Sequence, residues 1–293
     1  MTTTPLRALA AGLIDYAGLF PPATLAMAEV VRNYNSYISG EHAWMLGRLI
    51  VPASRLAEYA ETARSSGVDA RGWRLSVLAM ASDAAAIRSF GEAHADCGRI
   101  DTVEIKAAHA REIADSAAAF EGAYQLYFET PAATWRSLLP AIGKAQGRAK
   151  LRTGGPTADD IPAETRVLEF LRLASERRVA FKATAGLHHP LRSTHPLTYK
   201  DNSPRAAMHG FLNVFCAAAL LWQDADLRQE ASWMMAERDA DAITMDEMTM
   251  TWHNSGVSLT TAEIERARAE FAFSFGSCSF TEPVDDLRAM GWL

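Results

Sequence analysis

This sequence has few cysteines, no excess of positive charge and no long apolar segment. Only three cysteines occur among 293 residues and none forms a CxxC pair, which argues against a disulfide framework or a structural zinc site and predicts a reducing, cytoplasmic environment. The formal net charge is −6, so neither nucleic acid nor an anionic membrane is expected as a partner. The longest apolar stretch, residues 210–222, suits a buried helix and is too short to span a membrane.

Two motifs of common enzyme classes are also missing. The turn after the first β-like run, DYAGLFPPA, lacks the GxGxxG pattern of dinucleotide-binding folds, and no HExxH pattern of zinc proteases occurs. We therefore expect no cofactor. The amino-terminal residues contain one arginine and a short apolar run, which predicts a helix followed by a strand better than a signal peptide.

Short β-like runs alternate with helical segments along the whole chain, which favours a parallel sheet. Eight such runs in a chain of this length predict a single (β/α)8 barrel domain over residues 1–293, because typical barrels need about 250 residues. An open, doubly wound sheet is the alternative. The eight runs cover residues 13–18, 47–52, 73–79, 101–107, 124–130, 149–155, 179–186 and 272–279.

Two long segments interrupt this alternation. Residues 187–205 form a polar, proline-rich loop after the seventh strand, and residues 224–260 add a helix and a small hairpin before the eighth. Loops of this length in a compact barrel are often functional. We expect the first to be a lid or cleft wall that brings His188 and His189 to the substrate.

Four neighbouring predicted strands carry charged side chains on one face, since strand side chains alternate between two faces. On a single strand such a charge usually marks a solvated face. Four apolar strands that share the pattern favour a site, because each buried charge costs several kcal/mol unless it is paired. If these faces point into the barrel, its interior contains Glu104, Lys106, Glu129, Lys150, Arg152 and Lys182.

The pair Lys150 and Lys182 indicates a specific chemistry. A lysine amine attacks a carbonyl only when it is neutral, and a second cation nearby or burial lowers its pKa. The residue types do not decide which lysine reacts. Arg152 stays charged and suits a carboxylate or phosphate of the substrate. Carboxylates that could move the protons are Glu129, Asp101 and Glu104.

The motifs YFET, KLRTG and FKATAGL fall on consecutive predicted strands, in the order and approximate spacing of class I aldolases. Over residues 100–280 the chain resembles the deoxyribose-phosphate aldolase type. The resemblance implies a Schiff-base carbon–carbon lyase with Lys150 as nucleophile and Lys182 as its electrostatic partner. It also implies that Asp101, in IDTVEIKA, is the catalytic aspartate. The family has a small hydroxylated residue at the position of Arg152, and it lacks the segment 224–260.

Further candidates for substrate binding lie at predicted strand ends. Asp15 ends the first strand, where it could form a carboxylate at the barrel rim. Gly154 and Gly155 end the KLRTGG strand. Ser277 lies in FGSCSF, which resembles the final strand of the same aldolases, where Gly and Ser help to bind phosphate.

Two other functions remain open from the sequence. The loop histidines, with Asp201, could bind a divalent metal in a lyase or hydrolase that also uses Glu104 and Glu129, although their spacing fits no standard motif and no metal is expected. The barrel could also bind a small anion without catalysis. The favoured substrate is a small, anionic oxo-acid or sugar-like molecule, phosphorylated or not. A homo-oligomer is left open. The histidines concerned are His188, His189, His195 and His209.

Overall fold

Eight parallel strands close into a barrel at the centre of the structure, a computed structural model that describes residues 4–293. In chain order the strands are β1 (Ile14–Tyr16), β2 (Leu46–Pro52), β3 (Arg74–Ala79), β4 (Arg99–Lys106), β5 (Gln125–Glu129), β6 (Arg148–Arg152), β7 (Phe181–Thr184), β8 (Ser193–Pro196), β9 (Arg205–Met208), β10 (Ile243–Met245), β11 (Thr249–Trp252), β12 (Val257–Thr260) and β13 (Ala272–Ser277). Strands β1 to β7 and β13 form the barrel, which β13 closes by pairing with both β7 and β1. The predicted (β/α)8 barrel is confirmed.

Helices surround the barrel, and the first seven alternate with its strands. In chain order they are α1 (Pro5–Ala10), α2 (Met27–Ile38), α3 (Leu56–Ser65), α4 (Ala84–Ala93), α5 (Ala110–Phe120), α6 (Trp135–Lys144), α7 (Glu164–Glu176), α8 (Phe211–Gln223), α9 (Arg228–Ala236), α10 (Thr261–Glu270) and α11 (Thr281–Ala289). Local sequence explains several starts. Pro5 occupies the first turn of α1, and Thr260 and Glu263 form a reciprocal capping box at α10.

The two faces of the barrel strands differ in polarity. Outward-facing residues such as Phe181 are buried against the helices, and the Phe181 ring packs edge-on against Phe170 of α7. Burying one such ring contributes about 1.5–3 kcal/mol. Inward-facing residues include the two lysines, and Lys150 and Lys182 are direct neighbours in the parallel register of β6 and β7. The hydrophobic core therefore lies between barrel and helices, while the barrel interior contains charge.

Helix α8 corresponds to the apolar stretch 210–222, and the prediction of a buried helix is confirmed. Every residue from Phe211 to Trp222 is buried, with α7, α9 and α10 packed around the helix. Within residues 4–293, no helix combines the length and the apolar character needed to cross a bilayer.

The two long segments fold into small antiparallel sheets. The segment after β7 contains the hairpin β8–β9, and the segment before β13 contains α9 and the three-stranded sheet β10–β11–β12. The predicted helix and hairpin of residues 224–260 are thus present, with one strand more than expected. The Asp246 side chain forms the first turn of this sheet by accepting hydrogen bonds from the backbone N–H groups of Met248 and Thr249.

The loops after β6 and β7 touch through two glycines. A Cβ added at Gly186 would lie 2.9 Å from the Cα of Gly154, and Gly186 has φ +78. Both the close approach and the left-handed backbone require glycine here. This contact fixes the ends of the two lysine-bearing strands relative to each other.

We expect Gly186→Ala to lower the free energy of unfolding by about 1–3 kcal/mol, because the new methyl group meets backbone atoms in a left-handed conformation. Gly91→Ala is the control, since Gly91 lies in α4 with no atom near its added Cβ. It should leave stability unchanged or raise it by up to about 1 kcal/mol. Urea unfolding followed by tryptophan fluorescence measures both, and equal stability of the two variants would contradict the prediction.

Candidate active site

The carboxyl ends of the barrel strands enclose a cavity of about 350 Å³, called here the mouth cavity. Residues 20–22 after β1 form part of its wall, as do His188 and Leu197 from the segment after β7. From the predicted lid or cleft wall, residues 187–205, His188 and Leu197 line the cavity, whereas His189 does not. The charged side chains that line the cavity, apart from His188, are Glu104, Lys106, Glu129, Lys150 and Arg152.

Lys182 is fully buried and does not line the mouth cavity. Its Nζ donates hydrogen bonds to Asp15 Oδ2 at 2.6 Å and to Glu104 Oε1 at 2.7 Å. Burial alone would lower the pKa of Lys182, but the charges of Asp15 and Glu104 outweigh it and raise the pKa above its ordinary value. The expectation that a second cation keeps this amine partly neutral is therefore wrong for Lys182, which stays protonated at neutral pH.

Lys150 is the amine that faces the cavity. Its Nζ lies 2.9 Å from Glu104 Oε2 and 2.9 Å from Glu129 Oε2. Glu104 Oε2 is buried and accepts no hydrogen bond, so its contact with Lys150 is an ion pair without hydrogen-bond geometry. Lys182, in contrast, donates two well-formed hydrogen bonds. Of the two lysines, Lys150 is thus the less firmly held and the one that a ligand can reach.

Glu104 connects the two lysines. Its Oε1 accepts hydrogen bonds from Lys182 and from Ser76 Oγ, the latter at 2.6 Å, while its Oε2 faces Lys150. Burial would raise the pKa of Glu104, but the charges of Lys150 and Lys182 lower it well below its usual range. Burial would also raise the pKa of Glu129, but nearby cations, Lys150 first among them, lower it. Both carboxylates are ionised at neutral pH.

Asp15 lies deeper than the rim position expected from the sequence. It is fully buried, and its carboxylate accepts hydrogen bonds from Lys182, from Ser274 Oγ at 2.7 Å and from the backbone N–H of Arg48 at 2.7 Å. A Cβ at Gly47 would lie 2.3 Å from Asp15 Oδ1, so glycine is needed beside it. Asp15 therefore holds Lys182 from below the cavity rather than contacting a ligand.

Arg152 and Lys106 provide positive charge at the top of the mouth cavity. Arg152 donates to Glu129 Oε1 from Nε at 3.1 Å and lies 3.0 Å from it through Nη2. Arg152 also reaches the carbonyl oxygen of Gly154 at 3.4 Å. Gly155 lines the cavity, whereas Gly154 does not. Both cations are exposed, so they are available to an anionic ligand.

Asp101 lies away from the lysines, near the amino end of β4 and thus toward the opposite end of the barrel. Its carboxylate pairs with Arg48 (Nη2 to Oδ2, 3.0 Å) and with Arg74 at 3.3 Å. Burial would raise its pKa, but the bond from Arg48 lowers it. Asp101 has no partner residue on β3, because the pairing of β3 with β4 shifts by one residue there. The alternation of side chains between the two faces of β4 is therefore interrupted at Asp101. The structure does not bring Asp101 to the mouth cavity, where Glu104 takes the position beside the lysines.

The two loop histidines pair with acids of α11. His188 Nδ1 lies 2.9 Å from Glu282 Oε2, and His189 Nδ1 lies 2.6 Å from Asp286 Oδ2. Ser277 Oγ is 3.3 Å from His188 Nδ1. His188 lines the mouth cavity, but His189 and Ser277 do not. The pairs attach the cavity wall to the last helix.

The other members of the alternative metal site are His195, His209 and Asp201, and each has a different environment. The His195 ring stacks on His189 with ring centroids 3.3 Å apart, and His209 Nε2 donates to the carbonyl of Pro162 at 2.8 Å. Asp201 is exposed. From residue 4 to residue 293, no group of three or more His, Cys, Asp or Glu side chains is arranged to hold a metal ion.

Sequence reasoning missed Ser76 and Ser274, which orient Glu104 and Asp15. Both are buried hydroxyl residues inside strands that are otherwise apolar, WRLSVLA and AFSFGS. The alternation of side chains along a strand is enough to predict that both serines face the barrel interior. Small hydroxyl residues on that face are thus a useful signal for the supports of a buried charge.

We expect Glu104→Gln to lower the free energy of unfolding at pH 7 by about 3–5 kcal/mol, because it leaves Lys182 and Lys150 as under-compensated buried cations. The control is Glu58→Gln, which removes an exposed partner of Arg55 and should cost no more than about 1 kcal/mol. Urea unfolding of both variants measures the difference. Equal effects would show that the buried network does not stabilise the barrel.

The same variant should change the acid sensitivity. A carboxylate with a lowered folded-state pKa stabilises the fold above its unfolded pKa of about 4.5, and this contribution is lost as pH falls through the folded value. Wild-type stability should therefore fall between pH 5 and pH 3 more steeply than that of Glu104→Gln. Identical slopes would contradict the assignment of a depressed pKa to Glu104.

Comparison with known proteins adds no family. No protein-family model matches the chain, and no curated protein sequence matches it. The aldolase resemblance accordingly rests on the strand motifs, and the function has to be inferred from the geometry of the mouth cavity.

Proposed function

We propose that the chain is a Schiff-base-forming aldolase or lyase that acts on a small oxo-acid or sugar-like carbonyl compound, phosphorylated or not. One observation carries the proposal. Lys150 faces an enclosed cavity between the carboxylates of Glu104 and Glu129, each 2.9 Å from its amine. A nucleophile beside groups that can take its proton is the arrangement that covalent catalysis by lysine requires.

In the proposed first step the Lys150 ammonium transfers a proton to Glu104 or Glu129. The neutral amine then adds to the substrate carbonyl, forming a carbon–nitrogen bond. The carboxylic acid formed in the first step returns its proton to the departing hydroxyl, which leaves as water, and a protonated imine remains. In the cleavage direction a carboxylate removes the proton of the substrate β-hydroxyl. The carbon–carbon bond breaks, its electron pair moves toward the imine nitrogen, and a carbonyl product leaves an enamine on Lys150. Protonation and hydrolysis of the enamine return the free amine.

Lys182 has a supporting role in this scheme. Its raised pKa keeps it charged, and its two hydrogen bonds fix Asp15 and Glu104. A fixed positive charge on one side of Glu104 weakens the attraction of that carboxylate for the Lys150 ammonium. Lys182 thereby holds in place the carboxylate that faces Lys150 without being the nucleophile.

Arg152 and Lys106 are assigned to the anionic group of the substrate. Both are exposed cations that line the mouth cavity, and the planar guanidinium of Arg152 matches a carboxylate or a phosphate. A cavity of about 350 Å³ is at the small end of the range for ligand sites, which fits a substrate of few carbon atoms in this part of the site.

We expect borohydride reduction in the presence of pyruvate, glyoxylate or glyceraldehyde to attach the carbonyl compound to Lys150. Peptide mass mapping identifies the modified residue. Lys150→Met should remove the adduct, whereas the exposed-lysine control Lys144→Met should leave it unchanged. The amine of Lys182 should stay unmodified in the wild type.

An adduct on Lys182 would reverse the roles of the two lysines. If none of a broad set of aldehydes and 2-oxo acids gives an adduct that Lys150→Met removes, the Schiff-base proposal is wrong. If the barrel only binds a small anion, no carbonyl compound should give such an adduct, and anions should bind saturably without turnover.

The rate of adduct formation should rise with pH. Attack needs a neutral amine, and the neutral fraction of any lysine grows by up to tenfold per pH unit at pH values below its pKa. Trapping rates at constant ionic strength between pH 6 and pH 9 test this. A rate that stays flat or falls over this range would exclude proton loss from a lysine as the step that controls attack.

A further inference from the structure

A second cavity adjoins the mouth cavity, called here the side groove. Its volume is about 450 Å³. Four residues line both cavities, so the two spaces meet at the candidate nucleophile. The shared residues are Lys106, Glu129, Lys150 and Arg152, and the residues of the side groove alone include Ala132, Trp135, Leu151, Arg166 and Phe170.

The side groove lies outside the barrel wall. Leu151 is between Lys150 and Arg152 on β6, so its side chain points away from the barrel interior. Trp135 begins α6 and Phe170 belongs to α7, and both are buried rings. The groove therefore has an apolar floor between strand and helices, and Lys150 belongs to the wall that it shares with the mouth cavity.

Two cations of the side groove have no acidic partner. Among residues 4–293, neither Lys106 nor Arg166 forms an ion pair, and both are exposed. Four acids line the groove, and three of them are engaged, while the fourth, Asp159, is exposed. Glu129 pairs with Lys150 and Arg152. Glu112 accepts from the backbone N–H groups at the start of α5, and Asp160 accepts from Thr157. An anionic ligand would thus meet free positive charge above an apolar surface.

We infer that the side groove binds the apolar, anion-terminated part of the substrate whose carbonyl reaches Lys150. The claim that a carbonyl group reaches Lys150 rests on the proposed function, whereas the claim that the groove binds an apolar anion does not. The two cavities together have the size of a site for a molecule larger than a three-carbon acid. The substrate class is then a carbonyl compound that carries an aliphatic chain or an aromatic ring ending in a carboxylate or phosphate.

Calorimetric titration with 4-phenylbutyrate tests the groove without any carbonyl chemistry. We expect saturable binding, at least tenfold tighter than that of butyrate or 4-phenylbutanol, because only the full probe combines ring and anion. Ala132→Trp should block it, since Ala132 lines the groove, whereas Ala133→Trp next to it should not. Both alanines are exposed, so neither change disturbs the core.

A second pair of variants tests the charge. Arg166→Gln should weaken 4-phenylbutyrate by roughly tenfold. Arg172→Gln on the same helix is the control, since Arg172 pairs with Glu176 and lines neither cavity. It should leave the affinity unchanged.

Absence of saturable binding, equal binding of butyrate, or indifference to Ala132→Trp or to Arg166→Gln would each overturn the inference. These outcomes are separate from those of the trapping experiment. A chain that forms no adduct can still bind 4-phenylbutyrate in the groove, and a chain that forms the adduct can fail to bind it.

Discussion

The carboxylate of Glu104, shared by two lysine amines, is the interaction on which the barrel interior depends. Each buried ion would cost several kcal/mol if it stood alone, so every member of the network needs a neighbour of opposite sign. Acids and bases indeed alternate through the barrel, and their formal charges cancel. The order of the network is Asp15, Lys182, Glu104, Lys150, Glu129 and Arg152.

The network also places two chemically identical side chains, Lys182 and Lys150, in different environments. Lys182 donates two hydrogen bonds and is closed to solvent, while Lys150 has ion-pair contacts and lines the mouth cavity. Rigid support for one amine and access to the other come from a difference in depth of burial along neighbouring strands. The same residue type can therefore serve structure at one position and chemistry at the next.

Much of the fold could be predicted from the sequence, because hydrophobic periodicity and turn residues mark each element locally. The eight barrel strands, the buried helix α8 and the inward direction of Lys150 and Lys182 all followed from such patterns. The height of each side chain along the barrel axis did not follow from these patterns. Alternation tells which face a residue occupies, whereas strand stagger and a register shift near Asp101 decide how deep it lies. For this reason Asp15 was expected at the rim. Asp101 was expected beside the lysines because the aldolase resemblance implied it.

Contacts between side chains across the barrel interior could not be predicted from the sequence either. The sequence placed Glu104 on the inward face of β4, but it did not show that Glu104 lies between the two lysines, because β4 pairs with neither β6 nor β7. Asp15 and Glu104 together reverse the sign of the expected pKa change at Lys182. Side chains that meet across a barrel interior leave no signature in the spacing of residues along one strand.

Closure of the barrel by β13 has a consequence for the order of folding. Asp15 lies 167 positions from Lys182 and 259 positions from Ser274, the hydroxyl that completes its hydrogen bonds. Such distant partners make closure slow compared with the formation of individual helices. During synthesis, β1 leaves the ribosome long before its partners, and Asp15 remains hydrated until the last strand arrives. The buried charges are thus assembled late, and a chain that stops before β13 would have its ionic centre open to water.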